Sequence, residues 1–146
     1  MTVTLHAGLI ATRVGGVWRG ALIEGASGAG KSDLALRALE TGFRLVADDR
    51  VVAFVSGGRL YGRAPAPLAG LIEARGVGVV AREFLPFARI VVRVRLVGER
   101  EEVERMPEES SAALLGIAAP VVALRPFEAS SPAKLAALIE HLGGRA

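Results

Sequence analysis

The run Gly25-Ala26-Ser27-Gly28-Ala29-Gly30-Lys31-Ser32 constrains this chain more than any other stretch. It matches the spacing G-x-x-x-x-G-K-[ST] at every fixed position. An apolar strand, Val17–Ile23, leads into it. Lys31–Glu40 follows, with Leu34, Ala35, Ala38 and Leu39 at helical spacing. Strand, glycine loop and helix in this order build an anion cradle. The glycines let successive backbone N–H groups curl around a phosphate without a Cβ in the way. The helix points its positive dipole end at the same anion. Lys31 is long enough to reach the β- and γ-phosphates of a nucleotide, and the Ser32 hydroxyl suits Mg²⁺. All eight residues are therefore candidates for binding a nucleotide.

The rest of the chain reads mostly as strands. Thr2–Ala11 alternates, with Val3, Leu5, Ala7 and Leu9 on one face and His6 on the other. Val14-Gly15-Gly16 turns the chain into Val17–Glu24. Thr41-Gly42 stops the helix. Phe43–Ala47 and Val51–Val55 are short strands, and Ser56-Gly57-Gly58 closes a hairpin to Arg59–Tyr61. Ala64–Gly70 reads as loop. Leu71–Glu73, Gly76–Val80, Ile90–Val97 and Ala118–Leu124 are extended, and Gly98–Ser111 is charged and exposed. Ser131 caps a last helix, Pro132 opens it, and Ala133–Leu142 completes it before Gly143-Gly144. The expected fold is a single α/β domain over residues 1–146. It has a mostly β core, one helix after the phosphate loop, and a terminal helix outside.

Composition narrows the partners. At 146 residues and 51% hydrophobic, the chain fills one core and leaves no room for a second domain of ordinary size. It has no cysteine, which excludes disulfides, thiolate metal sites and a thiol nucleophile. Net charge is +3, and Lys31 and Lys134 are the only lysines among eighteen basic residues. The arginines scatter from Arg13 to Arg145 instead of clustering, so a nucleic-acid partner is not expected. The longest stretches free of Asp, Glu, Lys and Arg, Met1–Thr12 and Ser110–Leu124, fall short of the roughly 20 residues a membrane helix needs. No basic residue precedes the first of them, so no signal peptide is read and a cytoplasmic location is expected.

A phosphate loop alone does not name a reaction; transfer also needs a group that takes the proton of the attacking hydroxyl. Asp48-Asp49, closing the first strand after the loop helix, is the candidate. Neighbours on a strand face opposite ways, so either one carboxylate faces the phosphates or the strand has already ended and both turn inward. The plainer alternative pairs Asp49 with a nearby Arg at the surface.

Beyond the loop, Leu45-Val46-Ala47-Asp48-Asp49-Arg50-Val51 resembles the catalytic domain of the HPr kinase/phosphorylase family. Leu71-Ile72-Glu73-Ala74-Arg75-Gly76-Val77-Gly78-Val79-Val80 is similar to that family's L-x-E-x-R-G-[LV]-G-[IV]-[IV] segment. His6-Ala7-Gly8 resembles its short His-containing strand. Glu104-Arg105-Met106 lies where the family carries an Arg, and Leu135–Glu140 is similar to its last helix.

The resemblance implies an ATP-dependent kinase that phosphorylates a serine of HPr, the small phosphocarrier of the bacterial sugar phosphotransferase system. It implies that Lys31 binds the nucleotide phosphates and that Ser32 and Glu73 hold Mg²⁺. The pair Asp48-Asp49 supplies the base, which becomes the acid in reverse. His6 places that carboxylate or binds phosphate, and Arg75 and Arg105 contact the protein substrate or neutralise charge. On plainer readings His6 is structural, Glu73 and Arg75 are a salt bridge, and Arg105 belongs to the solvated run Glu99–Glu109.

Three departures shape the expectations further. His6 stands almost at the start, which resembles the short form without the family's N-terminal domain. Arg125-Pro126 is followed by Phe127-Glu128 where the family has an R-P-G-R-N segment tied to dephosphorylation, so kinase without phosphorylase activity is expected. The last helix is short where the family uses that region for its hexamer, so self-assembly is left open. The rivals are a kinase of a small metabolite and a nucleotide sensor without activity.

Overall fold

The computed structural model describes residues 1–98, 100 and 110–143. Strand β1 (Thr2–Leu5) and strand β2 (Ala7–Val14) part at His6, where the sequence pattern runs on as one strand. Val3 and Leu5 pack on the same core as Ala7 and Leu9, so the alternation carries no sign of the corner. Partners change there. β1 pairs with β5 (Val51–Ser56), while β2 pairs with β3 (Val17–Glu24) and β4 (Arg44–Ala47). Gly15 and Gly16 both have positive φ, as the two-residue turn between β2 and β3 requires.

Helix α1 (Lys31–Leu39) buries Leu34, Ala35 and Ala38. β5 returns as β6 (Arg59–Arg63), and the segment read as loop contains a 3-10 turn over Ala66–Leu68. β7 (Leu71–Ala74) and β8 (Gly78–Ala81) form a separate small hairpin. β8 starts two residues after the expected Gly76, which lies in the turn with positive φ. β9 (Ala88–Leu96), β10 (Ser111–Leu114), β11 (Ile117–Leu124) and α2 (Ser131–Gly143) complete the described chain.

The large sheet runs β1-β5-β6-β9-β3-β2-β4, with β11 on β9 and β10 on β11. β9 pairs parallel with both β3 and β11 and antiparallel with β6. Both helices cover one face, where Leu34, Leu135 and Ile139 pack on Ile10, Ile23 and Val94. The other face carries a second core of Leu9, Leu22, Val46, Val51, Leu60 and Ile90. Each such fully buried side chain contributes about 1.5–3 kcal/mol. The expected mostly β core with a loop helix and a terminal helix is what forms. No helix among the described residues is long and apolar enough to cross a membrane.

One strand goes beyond the sequence reading and one expectation is corrected. Ser111–Leu114 is a strand, although Ser-Ala-Ala-Leu shows no alternation; pairing with β11 imposes it. Ser131 lies inside the last helix instead of capping it. Its buried hydroxyl donates to the Arg125 carbonyl, and Lys134 N–H reaches back to the Ser130 carbonyl, so the helix starts from Ser130.

The topology fixes where function can sit. Glu24 pairs with Ala7 and Arg95, Ala47 with Leu9, and Leu124 with Leu96. The ends of β3, β4, β9 and β11 and the corner at His6 therefore lie at one end of the sheet. Ligands of open α/β sheets bind outside the carboxyl ends of strands for this reason.

Candidate active site

The loop after β3 curls tightly. A Cβ on Gly25 would lie 3.2 Å from both Ala29 Cβ and Leu96 Cβ, and Ala29 N–H donates to the Ala26 carbonyl at 3.0 Å. Gly30, at φ 101°, is the left-handed residue before α1, and no side chain caps the helix. Its first-turn N–H groups are left for an anion. Lys31 is 9% exposed and donates to the carbonyls of Gly25 (2.7 Å) and Ala26 (2.9 Å). The ammonium thus closes the curl, with one of its three protons to spare.

Beyond Ala47 strand β4 has ended, and both carboxylates of the acidic pair reach the same end of the sheet. Asp48 is 6% exposed. Its Oδ1 accepts from the Ser32 hydroxyl at 2.8 Å and its Oδ2 from the Glu73 N–H at 3.0 Å. One carboxylate therefore ties the loop helix, the turn after β4 and β7 together. Asp49 takes the left-handed conformation, φ 66°, which strains a non-glycine residue and turns its side chain outward. His6 Nε2 lies 3.0 Å from Asp49 Oδ1. Arg50 Nη1 lies 3.3 Å from Asp49 Oδ2, so the plain pairing with a nearby Arg is present beside the His contact.

A cavity of about 360 Å³ is lined by His6, Lys31, Ser32, Asp49, Glu73 and Arg75, with Gly28 and Gly30 at its phosphate side. The sequence candidates thus meet, Asp48 lying just beneath. Arg105 lies outside the described residues. No ion pair joins Glu73 to Arg75, which removes the salt-bridge alternative.

Phe127 is a site residue that the motifs did not mark. A Cβ on Gly30 would lie 2.7 Å from its Cζ, yet the ring is 59% exposed. Its segment is held down on both sides. Arg37 of α1 donates to the carbonyls of Pro126 and Glu128, and Lys134 pairs with Glu128 at 3.0 Å. Past the ring opens a second cavity of about 760 Å³, bounded by Ala26, Ala29, Leu96, Val97 and Pro126. Glu24, the last residue before the loop, takes a two-pronged bond from Arg93 at 2.7 and 2.9 Å. That bond raises the Arg93 pKa against the effect of burial and pins the end of β3 to β9.

These elements define a phosphate-loop domain with an acidic pair set against the loop. A family model, the HPr Serine kinase C-terminal domain, matches residues 2–141, and the chain belongs to that family. HPr kinase/phosphorylase of Brevibacillus brevis is 46% identical over 80 residues, covering 54% of this chain and 24% of the relative. That of Clostridium tetani is 36% identical over 98 residues, covering 67% and 32%. The chain thus spans about a quarter to a third of these relatives. Among solved structures, the Hpr(Ser) kinase/phosphatase from Coxiella burnetii aligns with a TM-score of 0.75 at 25% identity, over 98% of this chain and 95% of that one.

Proposed function

We propose that residues 1–146 act as one ATP-dependent protein serine kinase unit that phosphorylates an HPr-like phosphocarrier. The observation that carries this reading is the shared cavity. Asp49, oriented by His6, faces Lys31 and Ser32 across it. The loop N–H groups and Lys31 hold the nucleotide phosphates, and the apolar cavity beyond Phe127 takes the base. Their different burial supports giving the acidic pair separate roles. Asp49 is the exposed member and takes the proton of the incoming serine hydroxyl, with His6 holding the carboxylate in place. Asp48 is buried on Ser32 and serves the metal side.

No group of three or more His, Asp or Glu side chains converges as a metal cage among the described residues. Ser32, Asp48 and Glu73 are nevertheless hard oxygen donors beside the phosphate cradle, and Mg²⁺ takes few protein ligands plus phosphates and water. When bound there, Mg²⁺ neutralises phosphate charge. Arg75, lining the same cavity, adds charge neutralisation or contact with the protein substrate. Positioning and charge dominate such a transfer, since the protein makes no covalent bond to the phosphoryl group. The family name pairs kinase with phosphorylase, so the expected loss of the reverse reaction is left to experiment; were it to run, protonated Asp49 would return the proton to the serine oxygen as inorganic phosphate takes the phosphoryl group.

The test incubates the protein with labelled ATP and HPr, with an HPr variant lacking the target serine as control, and runs the reaction in both directions. Asp49→Asn is expected to slow transfer by about 10²–10⁴-fold while nucleotide binding persists. Transfer confined to a small metabolite, full transfer by Asp49→Asn, or ATP binding with no transfer to any acceptor would each overturn the reading.

A further inference from the structure

At the end of the sheet opposite the phosphate loop, three arginines line one cavity with no acid among the described residues. Arg19 near the start of β3 and Arg89 near the start of β9 are register partners on adjacent parallel strands. Arg59, opening β6, lines the same cavity of about 240 Å³. Among the described residues no Asp or Glu lines it, and none of the three arginines has an ion pair with them. Like charges set side by side across a sheet destabilise it. Two residue pairs from the other end, the same two strands meet the same demand differently: Arg93 is matched by Glu24.

Two further observations show that the cluster is held against its own repulsion. Arg19 Nε is buried with no hydrogen-bond partner, a desolvated donor that costs stability until something accepts from it. The Arg89 guanidinium has its pKa lowered by burial first, and then by Arg59 and Arg19. The other lining residues, among them Leu60, Ile90 and Leu142, are largely apolar, so the three guanidinium groups are the charged donors that the described wall offers.

We propose that Arg19, Arg59 and Arg89 form a binding site for a doubly charged tetrahedral oxyanion, either a free ion such as phosphate or the phosphate end of a small phosphomonoester. Guanidinium forks match such oxygens bidentately, and three of them meet at a single small cavity. A nucleic acid would need a stripe of positive charge, which this chain lacks.

The experiment measures thermal midpoints of the full chain against inorganic phosphate and against phenyl phosphate, with chloride holding ionic strength constant. It is run in wild type, in Lys31→Met to silence the phosphate loop, and in Arg19→Gln, Arg89→Gln and the exposed strand-end variant Arg59→Gln, each on the Lys31→Met background. Stabilisation by phosphate is expected to survive Lys31→Met. Each arginine change is expected to weaken the apparent affinity by about tenfold or more. Without added oxyanion, Arg89→Gln is expected to raise the midpoint by about 1–3 °C, because it removes repulsion. Tighter binding of phenyl phosphate assigns the site to phosphomonoesters, and equal or weaker binding assigns it to the free ion. Loss of all stabilisation in Lys31→Met, no effect of the arginine changes, or phosphate acting no better than chloride (an adventitious ion only) overturns the proposal.

Discussion

Gly30 and Phe127 meet at one point, and replacing Gly30 by Ala separates what each contributes. Alanine at φ 101° lies outside the basins L residues favour, a strain of about 1–2 kcal/mol. The added methyl would also lie 2.7 Å from Phe127 Cζ, so the ring must swing away. Phe127 is 59% exposed, so about 80 Å² of a side chain of about 200 Å² is in contact. At about 25 cal/mol per Å², losing that contact costs at most about 2 kcal/mol. Gly28→Ala is the internal control: φ is 82° but nothing lies within 4 Å, so only the strain applies. Urea unfolding is expected to show losses of about 1–2 kcal/mol for Gly28→Ala and about 2–4 kcal/mol for Gly30→Ala. In a Phe127→Ala background the excess of Gly30→Ala should vanish, a coupling of about 1–2 kcal/mol in the double-mutant cycle. Strict additivity of Gly30→Ala and Phe127→Ala would refute the contact and the placement of the ring over the loop.

The acidic pair and the strand end give two more tests. Asp48→Ala strands the Ser32 hydroxyl and the Glu73 N–H and is expected to lower unfolding free energy by about 2–4 kcal/mol, while Asp48→Asn, whose amide can serve both partners, stays within about 1–2 kcal/mol. Equal losses in urea titrations would remove Asp48 as the link between α1 and β7. Glu24→Gln leaves the Arg93 side chain, only 16% exposed, with a weakened partner and is expected to lower unfolding free energy by about 1–2 kcal/mol. A change below about 0.5 kcal/mol would show that β3 and β9 hold the loop base without it.

Much of this site was legible because its chemistry is written in short local patterns. The glycine loop needs particular residues at fixed spacing, and Asp48-Asp49 follows at the next strand end. The hairpins at Gly15-Gly16 and Gly57-Gly58 were legible for the same reason. What escaped was non-local. The turn between β10 and β11 uses Leu115 and Gly116, both at positive φ, and a leucine in that conformation carries no turn signature. The corner at His6 hides inside an unbroken alternation, because both segments bury the same face. Phe127 stood out in the sequence only as a departure; its position over Gly30 depends on Arg37, far away in the chain. The different surroundings of Asp48 and Asp49, one buried on Ser32 and one exposed beside His6, likewise needed the turn that ends β4, which alternation rules do not describe.

The glycine loop rests on a strand made much later than itself. Gly25 turns against Leu96, and β3 has β9 as its parallel neighbour, with everything from α1 to β8 synthesised in between. Such long-range pairing closes slowly. A nascent chain that has emerged only through β8 carries its glycines, its lysine and its acidic pair, yet has no wall for the loop to wrap against. A loop shaped to hold an anion therefore arises only with the second half of the polypeptide, and an amino-terminal fragment bearing the glycines, Lys31 and the acidic pair would still lack its wall.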